Sequence, residues 1–202
     1  MLTKLKKKVQ ATLTTEAKIA HDIGLTPNKV SIIGVTLAFL SAFAYTAWES
    51  HRFYLLFATA LLLLSGFCDA LDGVVARLYH QTTPFGGFID SLLDRYADAV
   101  VYVGIIISRL CDPLWGFIAL IGSLLVSYTR ARAEAAGIKM ESVGLAERAE
   151  RIIILATASV IATFWQTRTE AVMNTGIILL AILSNLTVLQ RSLHVCKKLK
   201  KP

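Results

Sequence analysis

Long runs without a charged residue constrain this chain more than any other feature. Six that are mostly apolar occur, at 30–48, 53–68, 99–108, 113–129, 152–167 and 171–190. A helix that crosses a bilayer needs about 20 predominantly apolar residues, with 17–25 the usual range. Three of the runs reach that length unaided. Each of the others is continued by a helix-compatible stretch that carries charge. The reading is an all-α integral membrane protein with six transmembrane helices, at 29–48, 53–79, 87–109, 113–136, 147–167 and 170–192. Thr26-Pro27 and Asp112-Pro113 supply a capping side chain before a proline, a signal for a helix start. Gly86-Gly87 reads as the break between the second and third helices, which a short loop would make antiparallel neighbours.

Composition agrees. Hydrophobic residues make up 55% of the chain and charged residues only 17%, with a mean hydropathy of +0.59. Soluble domains carry about a quarter charged residues, so a soluble enzyme and a disordered chain are both excluded. The net charge of +7, on a chain this apolar, points to an anionic membrane surface and not to nucleic acid. Cys68, Cys111 and Cys196 are too scattered for a disulfide framework or a zinc site. The first eight residues lack the apolar core and cleavage site of a secretory signal.

Residues 1–24 precede the first span as a juxtamembrane unit. Leu2, Leu5, Val9, Leu13, Ala17 and Ala20 recur at helical steps, behind the cluster Lys4, Lys6, Lys7 and Lys8. This pattern predicts an amphipathic helix in the membrane interface. Residues 25–202 form the six-helix domain. With both termini cytoplasmic, the outer loops hold only Arg52, Arg109 and Arg168 of the 21 lysines and arginines. That asymmetry is the positive-inside signal of a multi-pass cell-membrane protein.

The acids cluster where the second helix ends and the third begins. Asp69 and Asp72 stand three residues apart and Asp90 and Asp94 four apart, so each pair shares a helix face. Four carboxylates converging near the cytoplasmic surface would repel unless a cation sat among them. Oxygen-only donors favour Mg²⁺, Mn²⁺ or Ca²⁺, and Mg²⁺ commonly completes its shell with substrate phosphates. Charges near membrane depth are usually functional. A lone Asp–Arg pair would read as a salt bridge; four acids at this spacing read as a metal site. Gly73 would admit a ligand close to the backbone, and Arg77 could clamp a phosphate. Asp98 continues the Asp90/Asp94 face one turn deeper, where pairing within the bundle is favoured over a metal role.

The run from Asp69 to Asp94 resembles the signature of the CDP-alcohol phosphotransferases, D-x2-D-G-x2-A-R-x8-G-x3-D-x3-D. It is met here by Asp69, Asp72, Gly73, Ala76, Arg77, Gly86, Asp90 and Asp94. The resemblance implies a membrane enzyme that moves a lipid phosphate from a CDP-linked lipid to an alcohol, releasing CMP. It implies two metal ions, Mg²⁺ with Mn²⁺ as alternative. Asp69, Asp72 and Asp90 would hold one ion, and Asp69, Asp90 and Asp94 the other. Asp94 would be the base for the acceptor hydroxyl. Thr26, Pro27, Asn28, Lys29, Gly73, Ala76, Arg77 and Thr83 would line the CDP-lipid site. The resemblance also implies a homodimer.

The second half carries a basic cluster at Ser127–Arg132, Glu147–Arg151 and Arg191. A neutral acceptor needs no such concentration of guanidinium, whereas a phosphorylated one does. These stretches resemble the phosphatidylinositol-phosphate and archaetidylinositol-phosphate synthases, which use inositol 1-phosphate. Ser127, Arg130, Arg148, Arg151 and Arg191 are the expected acceptor-phosphate residues. A sister enzyme acting on glycerol 3-phosphate shares this charge pattern. A divalent-cation transporter would instead place acids at the bilayer midplane, with a path to both sides.

Overall fold

The computed structural model describes residues 13–140 and 143–199. Among these residues the chain is helical throughout, with no strand. A first helix, α1, covers 13–22. It is followed by α2 (Pro27–Thr46), α3 (Phe53–Leu78), α4 (Pro84–Ile107), α5 (Pro113–Ala135), α6 (Arg148–Phe164) and α7 (Thr169–Leu199), with one 3₁₀ turn at Gln166–Arg168. A helix occupies each of the six predicted spans. Four of them, α2, α3, α5 and α7, are long and apolar enough to cross a membrane. α4 is long enough but holds Asp90, Asp94, Arg95 and Asp98 within its first 15 residues. α6 has only 17 residues, about 26 Å at 1.5 Å per residue.

Local chemistry sets the boundaries. The Thr26 hydroxyl accepts from Lys29 N ahead of Pro27, and Asp112 Oδ1 accepts from Leu114 N at 2.9 Å ahead of Pro113. The expected break at Gly86-Gly87 is not there. Thr83 caps α4 by accepting from Gly86 N at 3.0 Å, with Pro84 in the first turn. The helix therefore starts three residues earlier than predicted and contains both glycines. A Thr-Pro start outweighs the low helix propensity of two glycines when they fall in the first turn.

Six helices close into a ring. α2 packs against α3 and α4, α4 against α5, α5 against α7, α7 against α6, and α6 back against α3. The second and third predicted helices are antiparallel as expected, but the expectation that they pack as neighbours is corrected. α3 and α4 each pack along α2 in preference to one another, and α2 buries the small residues Gly34, Ala38, Ser41 and Ala42. The α2–α4 crossing is so close that a Cβ on Gly104 would stand 2.7 Å from the Ala42 carbonyl oxygen. Small residues inside and large ones outside are how helices pack where lipid supplies no hydrophobic drive. Phe39, Phe43, Phe57, Phe117 and Phe164 accordingly face outward. Buried hydroxyls tie the ring: Tyr45 Oη lies 2.7 Å from Ser159 Oγ, and Ser41 Oγ donates to Ala58 O at 2.7 Å.

α1 docks on the ring at the acid-bearing end. Leu13, Ala17 and Ala20 are buried with Val30, Leu71, Val74 and Val75, while Ile19 and Ile23 are exposed. The predicted lysine cluster lies outside the described residues.

Candidate active site

The α2, α4 and α6 N-termini and the α3, α5 and α7 C-termini all meet at one end of the ring, because the connections between helices are short. The residues expected at the metal and CDP-lipid sites fall there. Asp69, Asp72, Asp90 and Asp94 line one pocket of about 210 Å³ together with Ser31, Gly34 and Arg148. Oxygens of Asp69, Asp72 and Asp90 all lie within 4.8 Å of one another. Asp72 is buried, and its Oδ2 accepts from Ser31 Oγ at 2.6 Å. An oxygen-only set of convergent carboxylates, one of them oriented by a hydroxyl, fits a hard divalent cation.

Arg148 supplies the positive charge on the other flank. Its Nη1 stands 2.6 Å from Asp69 Oδ1 and 2.5 Å from Asp94 Oδ1, and its Nε donates to Asp98 Oδ1 at 3.1 Å. Asp98 also accepts from Arg151 Nη2 at 2.7 Å and from Ser123 Oγ at 3.3 Å. Asp98 is thus paired within the bundle, as its depth suggested.

An open cleft of about 560 Å³ adjoins the acid pocket. Its wall includes Pro27, Asn28, Gly73, Ala76, Arg77, Thr83, Asp72 and Asp90. Six of the eight residues expected at the CDP-lipid site therefore share one surface. The other two lie at its edge: Thr26 caps α2, and Lys29 Nζ donates to Gly24 O at 3.2 Å. The Thr83 hydroxyl is engaged as the α4 cap. The absence of a side chain on Gly73 makes room for Arg77, since a Cβ there would lie 3.2 Å from Arg77 Nη1.

The five basic-side residues do not form one open patch. Arg130 pairs with Glu134 at 2.9 Å on an exposed face, and Ser127 is half-buried. Arg151 is only 4% exposed, its Nη1 donating to Ala146 O at 3.2 Å. Arg191 is only 2% exposed and donates from Nε to Val143 O at 2.8 Å and from Nη1 to Val126 O at 2.5 Å. Arg148 alone of the five contacts the signature acids, at Asp69 and Asp94.

Sequence reasoning missed Ser31, Ser123 and Thr187. Thr187 Oγ1 accepts from Leu145 N at 3.2 Å and Ala146 N at 3.0 Å, fixing the segment that leads into Arg148. A lone hydroxyl inside an apolar run gives no sequence signal of its partner.

A ring of membrane-type helices with convergent carboxylates beside an Arg-lined cleft is the arrangement the Asp69–Asp94 signature anticipates. Residues 24–190 match the CDP-alcohol phosphatidyltransferase family, and the chain belongs to it. It is 40% identical to an archaetidylinositol phosphate synthase of Pyrococcus horikoshii over 203 residues, covering 99% of both chains. It also superposes on Mycobacterium tuberculosis phosphatidylinositol phosphate synthase. With CDP-DAG bound, that structure gives a TM-score of 0.76 at 30% identity, covering 91% of this chain and 92% of that one. In complex with manganese and citrate, it gives 0.77 at 30% identity, covering 91% and 88%.

Proposed function

We propose that this protein is a membrane transferase of phospholipid biosynthesis. It moves a phosphatidyl or archaetidyl group from a CDP-linked lipid to inositol 1-phosphate and releases CMP. The observation that carries the reading is the convergence of the Asp69, Asp72 and Asp90 oxygens within 4.8 Å, between an Arg77-bearing cleft and Arg148. The likeness to inositol-phosphate synthases supports the acceptor.

The cleft of Pro27, Asn28, Gly73, Ala76, Arg77 and Thr83 receives the CDP head group, with Thr26 and Lys29 at its rim. Divalent ions, two Mg²⁺ or Mn²⁺, held by Asp69, Asp72 and Asp90 and by Asp69, Asp90 and Asp94, would neutralise charge on the pyrophosphate. Arg77 orients the nucleotide-side phosphate. Asp94 takes the proton from the acceptor hydroxyl as that oxygen attacks the lipid-side phosphorus. The bond from this phosphorus to the bridging oxygen breaks, and the oxygen leaves with CMP. Ser127, Arg130 and Arg148 meet the acceptor phosphate, with Arg151 and Arg191 behind them.

α2–α7 are read as six membrane spans around this site, with both termini and the site cytoplasmic and two copies forming a homodimer. α4 and α6 can cross despite their charge and length because the acids turn inward onto guanidiniums. The test is purified protein with Mg²⁺, CDP-lipid and a panel of acceptors, read as CMP release. Release with inositol 1-phosphate is expected. Release with glycerol 3-phosphate and none with inositol 1-phosphate would overturn the acceptor.

A further inference from the structure

Asp98 lies outside the signature and touches no residue of the nucleotide cleft, yet both of its oxygens are used. Oδ1 accepts from Arg148 Nε, and Oδ2 accepts from Arg151 Nη2 and Ser123 Oγ. Its side chain is 12% exposed. It borders a cavity of about 370 Å³ whose remaining wall is largely apolar, including Leu62, Val101, Ile152 and Leu155. Nothing else on that wall carries a negative charge to hold the two guanidiniums.

The consequence falls on Arg148. A guanidinium has five N–H donors in a fixed planar fork. Nε is tied to Asp98 and Nη1 to Asp69 and Asp94, which fixes the plane and leaves Nη2 as the nitrogen without a hydrogen bond among the described residues. An Arg fork held in its plane by carboxylates presents its remaining donor in a fixed direction.

We propose that Asp98 is a positioning residue for acceptor capture. It locks Arg148, and Arg151 behind it, so that the remaining Nη2 donor of Arg148 receives the acceptor's phosphate beside Asp94. The inference rests on the reading above that the acceptor is phosphorylated.

The test is Asp98→Asn in the full-length protein. Loss of a charge-assisted hydrogen bond is worth about a tenfold change or more. The KM for inositol 1-phosphate and the inhibition constant for inorganic phosphate should each rise about tenfold, while the KM for CDP-lipid stays within about twofold. A merely structural role would move all three together. Asp98→Glu keeps the buried charge balance and so folds even where the Asn variant does not. Its longer arm shifts the fork, so the same two constants should rise by a smaller factor. Unchanged constants in the folded variants, or a CDP-lipid KM that rises in step, would overturn the proposal. Should the wild-type protein release CMP only with glycerol 3-phosphate, the acceptor identity fails. The same split measured with that acceptor then still decides the role of Asp98.

Discussion

Replacing Arg191 by Met separates two roles for the most buried cation among the described residues. Its Nε and Nη1 donate to the Val143 and Val126 carbonyls at 2.8 and 2.5 Å, and Nη2 lies 3.7 Å from Glu147 Oε1. Hydrogen bonds from a charged donor contribute about 1.5–3 kcal/mol each. Two give a gross loss of about 3–6 kcal/mol, offset in part because Met removes a charge that was costly to bury. Val126 O keeps a donor in Thr129 Oγ1 at 3.0 Å, so the residual penalty falls mainly on Val143 O. A net destabilisation of about 3 kcal/mol follows. For a chain of this size that lowers the melting temperature by roughly 6–12 °C. Fluorescence of Trp48, Trp115 and Trp165 during heating in detergent reads it directly. At a temperature where the variant is folded, the KM for the phosphorylated acceptor should rise only about threefold, through loosening of the segment before Arg148. An unchanged melting temperature with a KM raised tenfold or more would refute this reasoning and return Arg191 to direct phosphate contact.

Asp94→Asn should cut turnover about a hundredfold or more while leaving the CDP-lipid KM near its wild-type value, since proton removal is a transition-state term; unchanged turnover would remove Asp94 as the base. Ser31→Ala deletes the 2.6 Å hydrogen bond that orients Asp72, and Mn²⁺ affinity, measured by titration without substrate, should fall about tenfold. Equal affinity would show that Asp72 needs no such support. Gly73→Ala brings a Cβ to 3.2 Å from Arg77 Nη1, so the CDP-lipid KM should rise several-fold with the acceptor KM unmoved. A rise in both would point to a distorted α3 instead of a displaced arginine.

The helix boundaries were legible because charge and capping residues mark them. Thr26-Pro27 and Asp112-Pro113 began helices as expected, and the acids of α3 and α4 met as their three- and four-residue spacings required. Helix starts compete, however, and the Thr83-Pro84 cap overrode two glycines. The spacing of Asp69 to Asp94 was informative because function fixes it. The separation of α3 from α4 was not legible, since a five-residue loop (79–83) ties only two helix ends and says nothing about the helix that each packs along instead. Nor could the sequence divide the arginines. Arg148, Arg151 and Arg191 read alike as basic residues. One faces carboxylates, one is shared between a carboxylate and a carbonyl, and one is spent on two carbonyls. Backbone acceptors leave no trace in a residue pattern.

Charge balance then bears on how many ions the site takes. Asp69, Asp72, Asp90, Asp94 and Asp98 bring five formal negative charges to the α3–α4 interface, and Arg95, Arg148 and Arg151 return three. Two uncompensated carboxylates at membrane depth are costly, and an incoming pyrophosphate adds about two further negative charges. On the proposed two-ion reading, one divalent ion would only neutralise the acids and leave the charge of the pyrophosphate unmet. A second would turn the site positive before binding and nearly neutral after it, which is the condition for holding a pyrophosphate without trapping the CMP that leaves. The pairing of Asp98 with Arg148 and Arg151 matters to that balance. It takes one acid out of the reach of the ions, so that the four signature carboxylates alone set the charge the metals must meet.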